Sequence, residues 1–127
     1  MGIIKWGGWA LAMGMLAHSS YAQGTLDLAQ AEQQLRSGQG AQAYQTLLAH
    51  EFDQAGNPDF DYLLGACALE AGHADRATLA LERALAVTPN HGAARLDMGR
   101  AYFALGDFQR ALEEFALAQK LNRTRCH

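Results

Sequence analysis

Three places in the chain combine residue types that can move protons or hold a metal. His73 and Asp75 set an imidazole two residues from a carboxylate, Glu113 and Glu114 are adjacent carboxyls, and Cys126 and His127 join a thiol to an imidazole. Catalysis asks more than residue types: a nucleophile must lie within hydrogen-bond reach of a base that a third group orients. His73 follows Gly72, so it reads as a turn residue, with Asp75 in the first turn of the next helix. Neighbours on a helix point about 100° apart, which splays Glu113 from Glu114 and makes them a solvated face. Ser37 sits in a turn with no His brought near it. The five histidines (18, 50, 73, 91 and 127) are scattered, and no CxxC or Cys/His cluster has metal spacing. Cys67 stands where a small core residue is wanted, and a free thiol packs like a small hydrophobe. Export would permit a disulfide between Cys67 and Cys126, but a buried thiol and a frayed tail is the preferred reading. No enzyme, cofactor or metal is expected.

The elements that position these residues come from an internal repeat. One constant shift, of about 34 residues, brings Gly38, Gly72 and Gly106 into register, and likewise Ala43, Ala77 and Ala111. Leu35, Leu69 and Phe103 match as large apolar residues, as do Leu47, Leu81 and Phe115. Gly65 matches Gly99, where the first segment has Ala31. Each segment reads as two helices: Leu64, Ala68 and Ala71 form one row, and Ala77, Leu81, Ala84 and Leu85 the next. The expected helices are 25–37, 40–52, 58–71, 74–87, 92–105 and 108–121. Glycine after the first helix of each pair stops it in a left-handed turn. Asp107 and Asn57-Pro58 are start signals, and Thr88-Pro89-Asn90 divides two repeats in the same manner. Gly65 and Gly99 lie mid-helix, where each costs about 1 kcal/mol relative to Ala. Close helix approach is the expected return.

Composition bounds the rest. Half the residues are hydrophobic, and 10 Lys+Arg against 13 Asp+Glu give net −3. No basic stripe or polybasic patch marks a nucleic-acid or membrane-surface partner. The segment 1–22 stands apart: Lys5, then an apolar run from Trp6 to Ala17, then Ser20-Tyr21-Ala22 as a small-x-small cleavage pattern. That is the form of a secretory signal peptide cleaved after Ala22. Its run of about 12 apolar residues is shorter than the roughly 20 that span a bilayer, and an uncleaved anchor is the alternative. Cleavage removes Lys5, the one charge in the segment, and leaves −4. The expected organisation is a leader 1–22, a solenoid 23–123 and a disordered tail 124–127. The solenoid divides into repeats of about 24–57, 58–91 and 92–123.

Leu64, Gly65, Gly72, Ala77, Leu81, Ala84 and Pro89 resemble the tetratricopeptide repeat motif at its expected intervals. Met98, Gly99, Tyr102, Ala111, Phe115 and Ala118 repeat it. The likeness covers about 24–123, with the first repeat degenerate. The family's opening Trp is replaced by Asp61 and Arg95, and its closing Pro by Arg123 in the third repeat. The resemblance implies an all-α, short right-handed superhelix of antiparallel helix pairs. It implies a protein-interaction module that binds a peptide or partner helix on its concave face, not nucleic acid or a small-molecule substrate. First-helix residues would line that face: Tyr62, Ala66, Leu69, Glu70, Ala93, Asp97, Arg100 and Phe103. Tyr62, Ala66, Glu70, Asp97, Arg100 and Phe103 are the candidate partner-binding residues. Family members that clamp a terminal carboxylate do so with Lys, Asn and Arg. Leu28, Glu32, Tyr62, Ala66, Ala93 and Asp97 stand at those places here, so a carboxylate ligand is disfavoured.

The stretch 59–111 is also similar to periplasmic repeat segments of Gram-negative exported proteins, some of which precede an outer-membrane barrel, as in surface-lipoprotein assembly modifiers. This implies a periplasmic scaffold, or else a truncated arm of such a parent. Leu112, Phe115 and Leu117 leave the last helix with an apolar side to cover, which predicts self-association, a partner helix or a missing domain.

Overall fold

Three turns with the same hydrogen bonds organise the chain. The N–H of Gln39 donates to the Gln34 carbonyl at 2.7 Å, that of His73 to Ala68 at 2.8 Å, and that of Asp107 to Tyr102 at 2.9 Å. In each, the preceding glycine has a left-handed φ: +80° at Gly38, +86° at Gly72 and +81° at Gly106. This is the closure that satisfies the last carbonyls of a helix. The turns recur at the interval of the glycines that make them.

A computed structural model describes residues 25–125. They form seven helices: α1 (Leu28–Arg36), α2 (Gly40–Leu48), α3 (Glu51–Gln54), α4 (Pro58–Glu70), α5 (Ala74–Val87), α6 (Gly92–Ala104) and α7 (Phe108–Arg125). No strand occurs among the described residues. The turns pair α1 with α2, α4 with α5, and α6 with α7. Helix α4 also packs on α2 and α1, and α6 on α5 and α4, so each pair covers the one before it. The expected leader 1–22 and the Cys126-His127 pair lie outside the described residues.

Caps explain most boundaries. The Asp27 carboxylate accepts from the N–H groups of Ala29 and Gln30, so α1 begins at 28 rather than 25. Asn57 accepts from Asp59 N–H, with Pro58 in the first turn. Asp107 accepts from Arg110 N–H. Between the second and third repeats the cap is His91, whose Nδ1 accepts from Ala94 N–H at 3.0 Å. The expected single helix 40–52 is broken at Ala49–His50, where His50 N–H turns to Leu47 O and α3 restarts on the His50 carbonyl. The tail expected from residue 124 is also corrected: α7 continues through Thr124 to Arg125.

The core lies between the pairs. Leu47, Phe60, Leu81 and Cys67 are its largest fully buried apolar side chains. A Cβ on Gly65 would lie 2.6 Å from Leu81 Cγ, and one on Gly99 2.5 Å from the Phe115 ring. The mid-helix glycines thus admit the partner helix's large side chain. Burial pushes the Cys67 thiol up to about 12, with Glu70 adding to the rise, so this cysteine is an inert core residue.

Candidate functional site

Two hollows lie along the first helices of the pairs. One, of about 500 Å³, is walled by Tyr62, Ala66, Leu69 and Glu70 of α4 and by Ala93, Leu96, Asp97 and Arg100 of α6, with Leu35 of α1 at its end. The other, of about 450 Å³, lies between Leu28, Ala29 and Glu32 of α1 and Asp59, Tyr62 and Leu63 of α4, with His91 beside them. Tyr62 belongs to both and joins them into one groove. Its position follows from the register. Residues on the exposed side of α4 face their counterparts on α6 because each pair stacks on the last.

Five candidates therefore share one hollow: Tyr62, Ala66, Glu70, Asp97 and Arg100. Phe103 does not. It is 60% exposed and packs edge-on against Phe108, with ring centroids 5.2 Å apart. Leu69, its counterpart one repeat earlier, lines the groove because α6 stands opposite. No described helix stands opposite Phe103. His91 and Leu96 are groove residues that the expected set lacked; Leu96 falls one residue before Asp97, on the α6 side turned toward α4.

Polar groups in the groove are few and placed. The Tyr62 ring lies 4.4 Å from the His91 ring, centroid to centroid. Burial first, then the carboxylates of Asp97 and Glu32, raise its phenol above the ordinary value. Asp97 is buried, and its Oδ1 accepts from Arg100 Nη1 at 3.0 Å. Burial raises the Asp97 carboxyl above the usual range, while Arg100 acts in the opposite sense. The folded state thus holds the Asp97 proton more tightly than the unfolded chain does. That contribution to stability is present at low pH and is lost as pH rises through the folded value. Asp97→Asn is therefore expected to be as stable as the parent or more so at pH 7, with the difference closing toward pH 3. Urea midpoints at the two pH values check this, and a destabilised variant at pH 7 would contradict it.

The other chemical candidates are structural. The His73 ring lies against Tyr44 at 5.1 Å. Glu114 pairs with Arg95 at 3.1 Å, while Glu113 is exposed. Among the described residues no three His, Cys, Asp or Glu come together to hold a metal.

Three identical turns, stacked pairs and mid-helix glycines facing Leu81 and Phe115 define the repeat. A family model, Tetratricopeptide repeat, matches residues 68–125. Residues 68–125 are tetratricopeptide repeat sequence. The match runs from the end of α4 through α7, the part in which the motif is most regular. No curated protein matches the chain. Tetratricopeptide repeats are in general protein–protein interaction modules.

Proposed function

We propose that the groove across α1, α4 and α6 docks a peptide or partner helix, and that the chain serves as a scaffold of the bacterial cell envelope. One observation supports this most: Tyr62, Ala66, Glu70, Asp97 and Arg100 line a single hollow that is apolar on its walls and open to solvent. A tyrosine in such a setting carries a large share of interface energy. Export rests on the leader-like segment 1–22, and the mature chain 23–127 is the form to study.

The test is photo-crosslinking from the groove in an envelope extract. A benzophenone amino acid at Tyr62 is expected to give a discrete protein adduct; one at exposed Gln45 of α2 is expected to give none. Tyr62→Ala should weaken capture of that partner roughly tenfold or more, as for an interface anchor, with the helical circular dichroism unchanged. Equal adducts from both positions, or full capture by Tyr62→Ala, would count against the groove.

A second reading has its own observation. Leu112 is 69% exposed, whereas Thr78, its counterpart under α6, is buried at 9%. Phe103, Leu105 and Phe108 are exposed beside it. This apolar end supports self-association, a partner helix, or the truncated arm of an outer-membrane exporter. Light scattering of residues 23–127 is expected to show concentration-dependent association, relieved by Leu112→Glu. A strict monomer at high concentration would contradict that reading.

A further inference from the structure

The charges of the groove select among peptides. Four carboxylates line it: Glu70 and Asp97 in one hollow, and Asp59 and Glu32 in the other, where Glu32 is itself paired with Arg36. Arg100 is the one permanent cation among the lining residues of the two hollows. Leucines and alanines form the walls between, and Tyr62 stands at the junction with carboxylates on both sides. Arg100 itself is largely committed. Its guanidinium rests on Asp97, and its side chain is 58% exposed while that of Asp97 is 12% exposed. A group that is mostly in water and reaches down to a mostly buried acid is exchangeable for another cation.

We propose that the groove takes a cationic amphipathic peptide, with aliphatic side chains against Leu35, Leu69 and Leu96 and a lysine or arginine that displaces Arg100 from Asp97. This rests on the groove being a docking site. Apolar burial supplies affinity, and the carboxylates supply selectivity by attracting cations and repelling acids. Arg100 is largely hydrated on its side of the pair, so exchanging it for a ligand cation costs little as long as Asp97 is not left unpaired. Asp97 regains a partner from the ligand. The tyrosine face adds an attraction for a nearby ammonium or guanidinium group. Arg100 is then a resident competitor rather than an anchor, and its removal strengthens binding.

The experiment uses residues 23–127 and three fluorescein-labelled peptides of alternating Leu with Lys, Leu with Gln, and Leu with Glu, read by anisotropy at fixed salt. The Lys peptide is expected to bind roughly tenfold tighter than the Gln peptide, and the Glu peptide weakest. Asp97→Asn should narrow the Lys-over-Gln preference severalfold. Arg100→Ala should tighten the Lys peptide severalfold, and Tyr62→Ala should weaken all three. Equal affinity for Lys and Gln peptides, with Tyr62→Ala still weakening both, overturns the charge selectivity and leaves the groove standing. Weakening by Arg100→Ala overturns the competitor role. No binding of any peptide to the folded chain, or binding indifferent to Tyr62→Ala, overturns the groove along with its selectivity.

Discussion

Arg83→Leu is expected to destabilise the fold by about 3 kcal/mol, the low end of the cost of breaking a buried ion pair. Asp61 has no exposed surface. Its carboxylate accepts from Arg83 Nε at 3.0 Å and from Gly56 N–H at 2.8 Å. The same guanidinium reaches Glu51 Oε1 at 2.9 Å, so one side chain ties α3, α4 and α5 together. Without it, Asp61 keeps a single backbone donor, from Gly56. Arg83 is a third exposed, and water reaching its place is why the low end of the range applies. The double change Asp61→Leu with Arg83→Leu should recover part of the loss, because apolar side chains replace both buried charges. Urea midpoints of the three proteins decide the point. A double variant less stable than Arg83→Leu would show that the pair is not the unit.

Gly65→Val is expected to cost about 2–3 kcal/mol, within the usual range for an overpacked core, while Gly99→Ala should be nearly neutral. Overpacking costs typically about 1–3 kcal/mol, and leaving glycine returns up to about 1 kcal/mol of helix propensity. At Gly65 a new Cβ meets Leu81 Cγ at 2.6 Å and Ala77 O at 3.3 Å. Leu81 is fully buried, so it has nowhere to go. At Gly99 the obstacle is the Phe115 ring, which is only partly buried and can swing outward. The contrast is read from thermal or urea unfolding of the two variants, and an equal loss would contradict it.

These two sites show why some features are legible in sequence and others are not. Gly38, Gly72 and Gly106 announce the turns because a left-handed turn demands that residue type at a fixed place. Gly65 and Gly99 announce a close approach by their cost in a helix. Asp61 and Arg95 are visible as departures from the motif's Trp. Their replacement by ion pairs of opposite polarity, Asp61 with Arg83 and Arg95 with Glu114, depends on distant partners that local pattern does not name. The break at Ala49–His50 leaves no sign, since both residues are ordinary in a helix and Glu51 is held by Arg83 from α5. His91 escapes notice as a cap because histidine is not among the usual capping types. Helix α7 outruns its expected end because no glycine or proline follows Gly106 to stop it.

The groove is legible for the same reason as the turns. Register alone brings Tyr62, Ala66 and Glu70 opposite Asp97 and Arg100. Phe103 falls outside because the role of a first-helix residue depends on the helix that follows it. Leu69 has α6 opposite, whereas Phe103 looks onto the open end.

Methyl NMR of leucine-labelled residues 23–127, titrated with the alternating Leu–Lys peptide, tests the central claim most directly. Docking in the groove predicts saturable shifts at Leu35, Leu69 and Leu96, with Leu112 and Leu117 unmoved. Shifts at Leu112 and Leu117 with the groove leucines still, or no shifts at all under excess peptide, would contradict it.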